Sequence, residues 1–189
     1  MQMFEYVIVL TSIVIGLALT HLMQGIAGLI QHPARERIWW VHLAWVAHMF
    51  LSTIFWWWWE FRLQLVETWT FSVYFFVVFY AFYLYLICAI LFPKDLEGYE
   101  GYQDYFLSRR GWFFGLLIGW LAIDLLDTRI KGADYFASLG TEYLIIQSTF
   151  ALGCVVGIVT RRAPVQAAIV LLVLGYQIFR VLRFYDTVN

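Results

Sequence analysis

Charged side chains are scarce in this chain. It has 12 Lys or Arg and 13 Asp or Glu among 189 residues, or 13%, whereas 63% of its residues are hydrophobic. A soluble domain typically carries about 25% charged residues. A water-soluble fold of this length could not hide so much apolar surface, which excludes a soluble enzyme. The formal net charge of −1 gives no general attraction to nucleic acid, so no nucleic-acid partner is expected.

Cysteine and sequence motifs for catalysis are also lacking. The two cysteines show no CxxC or CxxCH spacing, which excludes a zinc ribbon, a disulfide scaffold and covalently attached haem. The chain has no GxSxG, HExxH, P-loop or GxGxxG pattern. We therefore predict no catalytic residue and no metal site, and the sequence does not favour an enzyme.

Long apolar runs are the dominant feature. A helix that crosses a bilayer needs about 20 mostly apolar residues, and no Asp, Glu, Lys or Arg occurs at positions 6–34, 38–59 or 68–93. The sequence predicts an all-α, multi-pass membrane protein with a single domain over 1–189, and we expect it in the inner membrane of a prokaryote. About six spans are predicted, near 4–30, 38–59, 70–92, 111–128, 140–160 and 165–185. Charges lie inside the ends of the fourth and sixth spans, so four or five spans are the alternative.

Six spans place both termini at one face of the membrane. We call this face side A, with loops 60–69 and 129–138, and the opposite face side B, with loops 31–37, 93–110 and 161–164. The tryptophan-rich ends of the second span are typical of interfacial anchors. In the longest loop, Tyr99, Tyr102, Tyr105 and Phe106 recur at helical spacing. They predict a short interfacial helix over 97–108.

Small residues recur at four-residue spacing on three predicted spans. Helices in lipid associate closely where small residues let their backbones approach, so these positions predict helix-packing faces within one chain or between copies. A homo-oligomer is therefore expected. The positions are Ser12, Gly16 and Gly28, together with Thr20 and Gln24; Gly111, Gly115 and Gly119; and Gly153 and Gly157.

Charged residues approach side A on several spans. Asp124 and Asp127 share one face of the fourth span, and Arg180 and Arg183 share one face of the sixth, since each pair is spaced i,i+3. If those faces meet, two ion pairs form at similar depth. A polar vestibule is expected there, because Glu5, Glu60 and Glu142 lie at the same side. The simpler interpretation is that these groups reach to the interface and only anchor the helix ends.

All four histidines fall in the first predicted hairpin. His21 and His48 lie at similar depth on neighbouring antiparallel spans, so their rings could face each other. Such a pair could relay protons or ligate haem b. The more common alternative is a buried histidine that hydrogen-bonds to a neighbour such as Gln24, Ser52 or Thr53.

These patterns favour one function over two others. The leading hypothesis is a homo-oligomer that conducts or transports a small cation, most simply the proton, through the side A charges and the two histidines. The second is a non-catalytic accessory subunit that docks onto a larger membrane complex. The third is an electron-transfer subunit with haem b between His21 and His48.

Overall fold

The computed structural model describes residues 3–32, 37–66 and 68–184, and every regular element in these ranges is helical. The predicted all-α class is confirmed. A single 3₁₀ turn, Phe61–Leu65, follows the second helix. The helices are α1 Met3–Gln31, α2 Trp40–Glu60, α3 Phe71–Ala89, α4 Tyr102–Ile130, α5 Ala133–Ser138, α6 Gly140–Val159 and α7 Ala163–Phe184.

Four helices in the described part of the chain are long and apolar enough to cross a membrane. They are α1, α3, α6 and α7, over Phe4–Gln31, Phe71–Ala89, Gly140–Val159 and Ala163–Arg183. The membrane class predicted from composition is therefore supported. Helices α2 and α4 fall outside this set, so the count of six spans is not confirmed.

Helix α4 differs most from the prediction. It begins at Tyr102 and runs unbroken to Ile130, so the predicted separate helix over 97–108 is wrong and the helix that contains the predicted span 111–128 starts earlier than 111. Tyr102 and Tyr105 are buried, and the Tyr102 ring stacks on His42 with 4.7 Å between ring centroids. The short helix α5 was not predicted, and position 185 of the sixth predicted span lies outside the described residues.

Helices α2 and α4 form the centre of the bundle. Helix α2 packs against α1, α3, α4 and α7, and α4 packs against α3, α5 and α6 as well as α2. Their large side chains fill the core, including Trp45, Met49, Phe113, Phe114 and Leu117. Polar residues on a central helix can be covered by its neighbours rather than by lipid, as His42, His48 and Glu60 of α2 and Asp127 of α4 are.

The long helices alternate in direction. At one end of the bundle, Glu60 at the end of α2 contacts Lys131 just after α4. At the other end, His42 near the start of α2 donates from Nε2 to the Leu91 carbonyl beyond α3, at 2.7 Å. The first of these ends corresponds to side A and the second to side B, and the names are kept below.

A buried glutamine closes the turn between α6 and α7 on side B. Gln166 Nε2 donates to the carbonyls of Gly157 and Thr160, at 2.9 Å each. The last carbonyls of a helix have no partner within it. This side chain therefore satisfies two of them and holds α6 and α7 antiparallel.

Candidate functional site

Three charged side chains meet in the protein interior at side A, and we call them the side A triad: Glu60, Asp127 and Lys131. Lys131 Nζ lies 2.8 Å from Glu60 Oε1 and 2.5 Å from Asp127 Oδ2. The side chains of Lys131, Glu60 and Asp127 are only 4%, 1% and 4% exposed. Burial of charge is costly unless each charge is paired, so this contact fixes the end of α2 against the end of α4.

The side A triad carries more acid than base. Lys131 supplies one positive charge to the two carboxylates, so with all three groups ionised one negative charge is left over within the triad. Glu60 Oε2 and Asp127 Oδ1 are buried and have no hydrogen-bond partner among the described residues. A proton on either carboxylate would neutralise the excess charge.

Asp124 is the centre of a separate hydrogen-bond network. Its Oδ1 accepts a hydrogen bond from the Tyr80 hydroxyl at 3.1 Å, and its Oδ2 accepts from the Tyr143 hydroxyl at 2.7 Å and from Gln147 Nε2 at 2.6 Å. Trp120 Nε1 in turn donates to the Tyr80 hydroxyl at 2.9 Å. Three donors satisfy the carboxylate well, so Asp124 joins α3, α4 and α6 as a structural centre.

The predicted ion pairs between the fourth and sixth spans are wrong. Asp127 pairs with Lys131 and Asp124 with neutral donors, whereas Arg183 lies 3.4 Å from Glu142 at the surface, where both side chains are about half exposed. Helix α7 packs against α2 and α6, while α4 packs against α3 and α6. The charged faces of α4 and α7 therefore do not meet, although the sequence places their residues at similar positions along the two spans.

Aromatic rings and guanidinium groups form the rim of side A. Arg62 and Arg180 both lie over the Trp59 ring, 5.4 and 5.9 Å from its centroid, and Arg62 also lies 5.0 Å from the Tyr135 ring. Glu5 is exposed on α1, outside the side A triad. The surface around the buried acids is thus rich in fixed positive charge.

His48 is held in the middle of α2 by a glutamine of α7. Gln177 Nε2 donates to Ser52 Oγ at 2.9 Å, which turns its oxygen toward His48 Nδ1 at 2.8 Å. The Nδ1 atom therefore carries the proton. His48 Nε2 is buried and has no hydrogen-bond partner within the described ranges. The sequence predicted a buried histidine with its hydrogen bonds satisfied, and this holds for Nδ1 of His48 but not for Nε2. Ser52, one of the predicted partners, binds Gln177, which in turn binds His48.

His21 lies in a different environment from His48. Its ring packs edge-on against Tyr85 of α3, with 6.5 Å between centroids. The His48 ring packs against Trp45, Trp120 and Phe150. No contact joins the two histidines in the part of the chain that is described.

An aromatic layer separates His48 from side B. Trp45 lies 5.6 Å from the His48 ring, and Phe113 and Phe114 lie 5.1 and 5.3 Å from Trp45, all as ring centroids. On the other side of His48, Trp120 lies 6.4 Å away and donates to Tyr80 of the Asp124 network. Polar side chains therefore continue from side A as far as His48, and the aromatic layer takes their place between His48 and side B.

Two of the predicted packing glycines lie at close helix contacts. A Cβ on Gly157 would lie 2.6 Å from the Phe114 ring, and a Cβ on Gly119 would overlap the Tyr83 hydroxyl, which donates to the Leu116 carbonyl at 2.9 Å. Gly153 makes only ordinary contact, with Ile169. These glycines let α4 approach α6 and α3.

The other predicted packing positions face away from the rest of the chain. A Cβ at Gly16, Gly28, Gly111 or Gly115 would meet no atom of the described residues within 4 Å. Ser12 bonds only its own helix, through Oγ to the Val9 carbonyl at 2.8 Å. The α1 face continues into a groove of about 540 Å³, lined by Leu19, Thr20, Met23, Gln24, Ala27 and Phe50.

Compared with protein-family models, with curated proteins and with solved structures, the chain matches none. The function must therefore be inferred from the geometry. In the described ranges no group of three or more His, Cys, Asp or Glu side chains is arranged to hold a metal ion.

Sequence analysis missed several residues that complete these networks. Lys131 follows Asp127 by four residues, a spacing that favours an ion pair on one helix face and could have identified it. Tyr80, Tyr143 and Gln177 gave no such signal, because each bonds a residue far away in the sequence.

Proposed function

We propose that this protein carries protons across the membrane, as a six-span bundle in which α2 and α4 also cross the bilayer. The observation that supports this most directly is the side A triad. It contains two buried carboxylates, one ammonium group and two carboxylate oxygens without hydrogen-bond partners among the described residues. Ionisable groups at membrane depth are expensive and are typical of proton or ion pathways.

The polar groups beyond the triad supply a route toward the membrane centre. Asp124 lies one turn before Asp127 on α4 and accepts from the Tyr80 hydroxyl, and His48 offers an Nε2 lone pair on the far side of Trp120. Because the Trp120 indole N–H only donates, the proton must cross from Tyr80 to His48 through water. His48 lies roughly 18 Å from Glu60 along the axis of α2, at 1.5 Å per residue. The aromatic layer around Trp45 then closes side B, so transfer to that side requires this layer to open.

The rim favours the proton over a metal cation. Arg62 and Arg180 lie over Trp59 at the entrance, where their positive charges repel hydrated cations. A proton can instead be transferred from one side chain to the next, so no hydrated ion has to pass the two arginines. The cation in the proposal is therefore the proton.

The test is proton flux in proteoliposomes under an imposed pH gradient with the voltage clamped by potassium. We expect Glu60→Gln and Asp127→Asn to lower the flux about tenfold or more, as expected when a proton-transfer group is removed. Glu142→Gln is the matched control, because this carboxylate is exposed and should leave the flux unchanged. Wild-type flux equal to that of empty liposomes would contradict the proposal.

The open face of α1 supports a second element of the proposal, assembly into a homo-oligomer. Gly16 and Gly28 face open space there, whereas Gly119 and Gly157 are used within the chain. The competing function, an accessory subunit of a larger membrane complex, would use the same face. Mass measurement in mild detergent discriminates between them: multiples of one chain support the homo-oligomer, and a stoichiometric partner of different sequence supports the accessory subunit.

A further inference from the structure

The ammonium group of Lys131 lies where a free cation would bind. Its Nζ contacts one oxygen of Glu60 and one oxygen of Asp127, on helices α2 and α4. The second oxygen of each carboxylate is buried and has no hydrogen-bond partner among the described residues. Without the lysine side chain, the two carboxylates would offer up to four oxygens to a cation in a space already closed to solvent.

The number of oxygens and their charge favour a monovalent ion in that space. Calcium takes six to eight oxygen ligands and magnesium requires octahedral coordination. Two carboxylates could complete either shell only with several bound waters, and this space is closed to solvent. Two negative charges around one monovalent cation would reproduce the charge balance that Lys131 now gives. The lysine is also fixed in place, since its own backbone N–H donates to the Asp127 carbonyl at 3.0 Å.

We propose that Lys131 acts as a tethered cation that fills a monovalent-cation position between Glu60 and Asp127 and so keeps sodium, lithium and potassium out of the proton pathway. Lys131 is then a specificity-determining residue. This inference rests on the proposed proton pathway for its biological meaning. The claim that a cation site lies where the Lys131 ammonium group now sits can be tested by cation binding, without a transport measurement.

The experiment compares the thermal unfolding of purified, detergent-solubilised wild type, Lys131→Ala and Lys131→Met in sodium, lithium or potassium chloride. N-methylglucamine chloride of equal ionic strength is the reference salt. Alanine removes the charge and leaves space, whereas methionine removes the charge and fills the space. We expect the midpoint of Lys131→Ala alone to rise with an alkali cation, by roughly 3 to 6 °C at tenfold excess over its dissociation constant.

A folded Lys131→Ala protein with the same midpoint in every salt would overturn the inference, as would an equal rise in Lys131→Met or in wild type. If Lys131→Ala does not fold in N-methylglucamine chloride, the yield of folded protein is compared after solubilisation with and without sodium, lithium or potassium chloride. Folded protein obtained only with an alkali cation supports the inference, and the absence of folded protein in every salt overturns it.

Flux measurements separate this inference from the proposed function. If wild-type protein carries protons but Lys131→Ala shows no alkali-cation binding, the proton pathway stands and the role of Lys131 is wrong. If wild-type protein carries no protons but Lys131→Ala binds sodium or lithium, the latent site stands and the pathway is wrong. If both hold, sodium or lithium should inhibit proton flux in Lys131→Ala and not in wild type.

Discussion

The side-chain oxygen of Gln177 lies 2.8 Å from His48 Nδ1, although 129 residues separate them in the chain. The same glutamine donates to Ser52, so a single side chain of α7 fixes two positions of α2. Both bonds lie in the interior of the bundle, where no water replaces a lost partner. The His48 tautomer, and with it the direction of the free Nε2 lone pair, therefore depends on α7.

Replacement of Gln177 tests whether α7 holds His48 in this way. We expect Gln177→Leu to destabilise the protein by about 1 to 2 kcal/mol, since interhelical hydrogen bonds in membranes contribute roughly 0.6 kcal/mol each and His48 Nδ1 loses its acceptor. Unfolding in a denaturing detergent measures the change. Leu172→Ala on the same helix is the control, because that side chain is 74% exposed and should change little. Equal stability of Gln177→Leu and wild type would show that the bond does not hold α7.

Asp124→Asn should lower stability rather than act on proton transfer alone. The carboxylate accepts from Tyr80, Tyr143 and Gln147, and an amide NH₂ in its place would point a donor at other donors. The expected loss is about 1 to 3 kcal/mol, the range for a buried polar group left without a partner. Tyr143→Phe removes only one of the donors and should cost less. A folded Asp124→Asn protein of wild-type stability would contradict the structural role of this network.

Gly157 and Gly115 form a matched pair for testing helix packing, since the first lies at a close helix contact and the second does not. We expect Gly157→Ala to cost about 1 to 3 kcal/mol, because the new methyl group would lie 2.6 Å from the Phe114 ring. Gly115→Ala places its methyl group in open space and should stabilise α4 by up to about 1 kcal/mol through helix propensity. Denaturation of both variants under one condition measures the difference. Equal effects would mean that α4 and α6 do not approach at Gly157.

Single-cysteine labelling tests whether α4 crosses the bilayer. Both native cysteines, Cys88 and Cys154, are buried and should not react with a membrane-impermeant maleimide. Six spans predict that Asp95→Cys and Arg161→Cys react from one side of sealed vesicles and Asp134→Cys from the other. Reaction of Asp95→Cys and Asp134→Cys from the same side would show that α4 does not cross. Each of these three positions is exposed in a loop or a short helix end, so labelling reports location and not burial.

Much of the fold follows from the chain alone. The first and fifth predicted spans, 4–30 and 140–160, differ by only one residue at any boundary from α1 Met3–Gln31 and α6 Gly140–Val159. Prediction failed at the start of α4, because the sequence between 97 and 111 has the charge of a surface loop. Its aromatic residues nevertheless pack into the core, where Tyr102 stacks on His42.

The candidate site could be predicted only in part. Asp124, Asp127 and Glu60 were expected near side A, because depth in a membrane follows from position along the chain. Their partners were not predicted. The rotation of a helix about its axis cannot be read from periodicity when lipid-facing and core-facing positions are equally apolar, so nothing in the sequence placed Lys131 against Glu60 or Asp124 against Tyr143.

The sequence by itself determined that the protein is helical and that it belongs in a membrane, because apolar run lengths must match bilayer thickness. Tertiary structure alone decided which of these groups meet. It brought Glu60 to Lys131 and His48 to Gln177, and it turned Gly16 and Gly28 outward. The physical reason is that lipid and protein interior are both apolar, so close packing and hydrogen bonding, rather than hydrophobicity, select the neighbours of each helix.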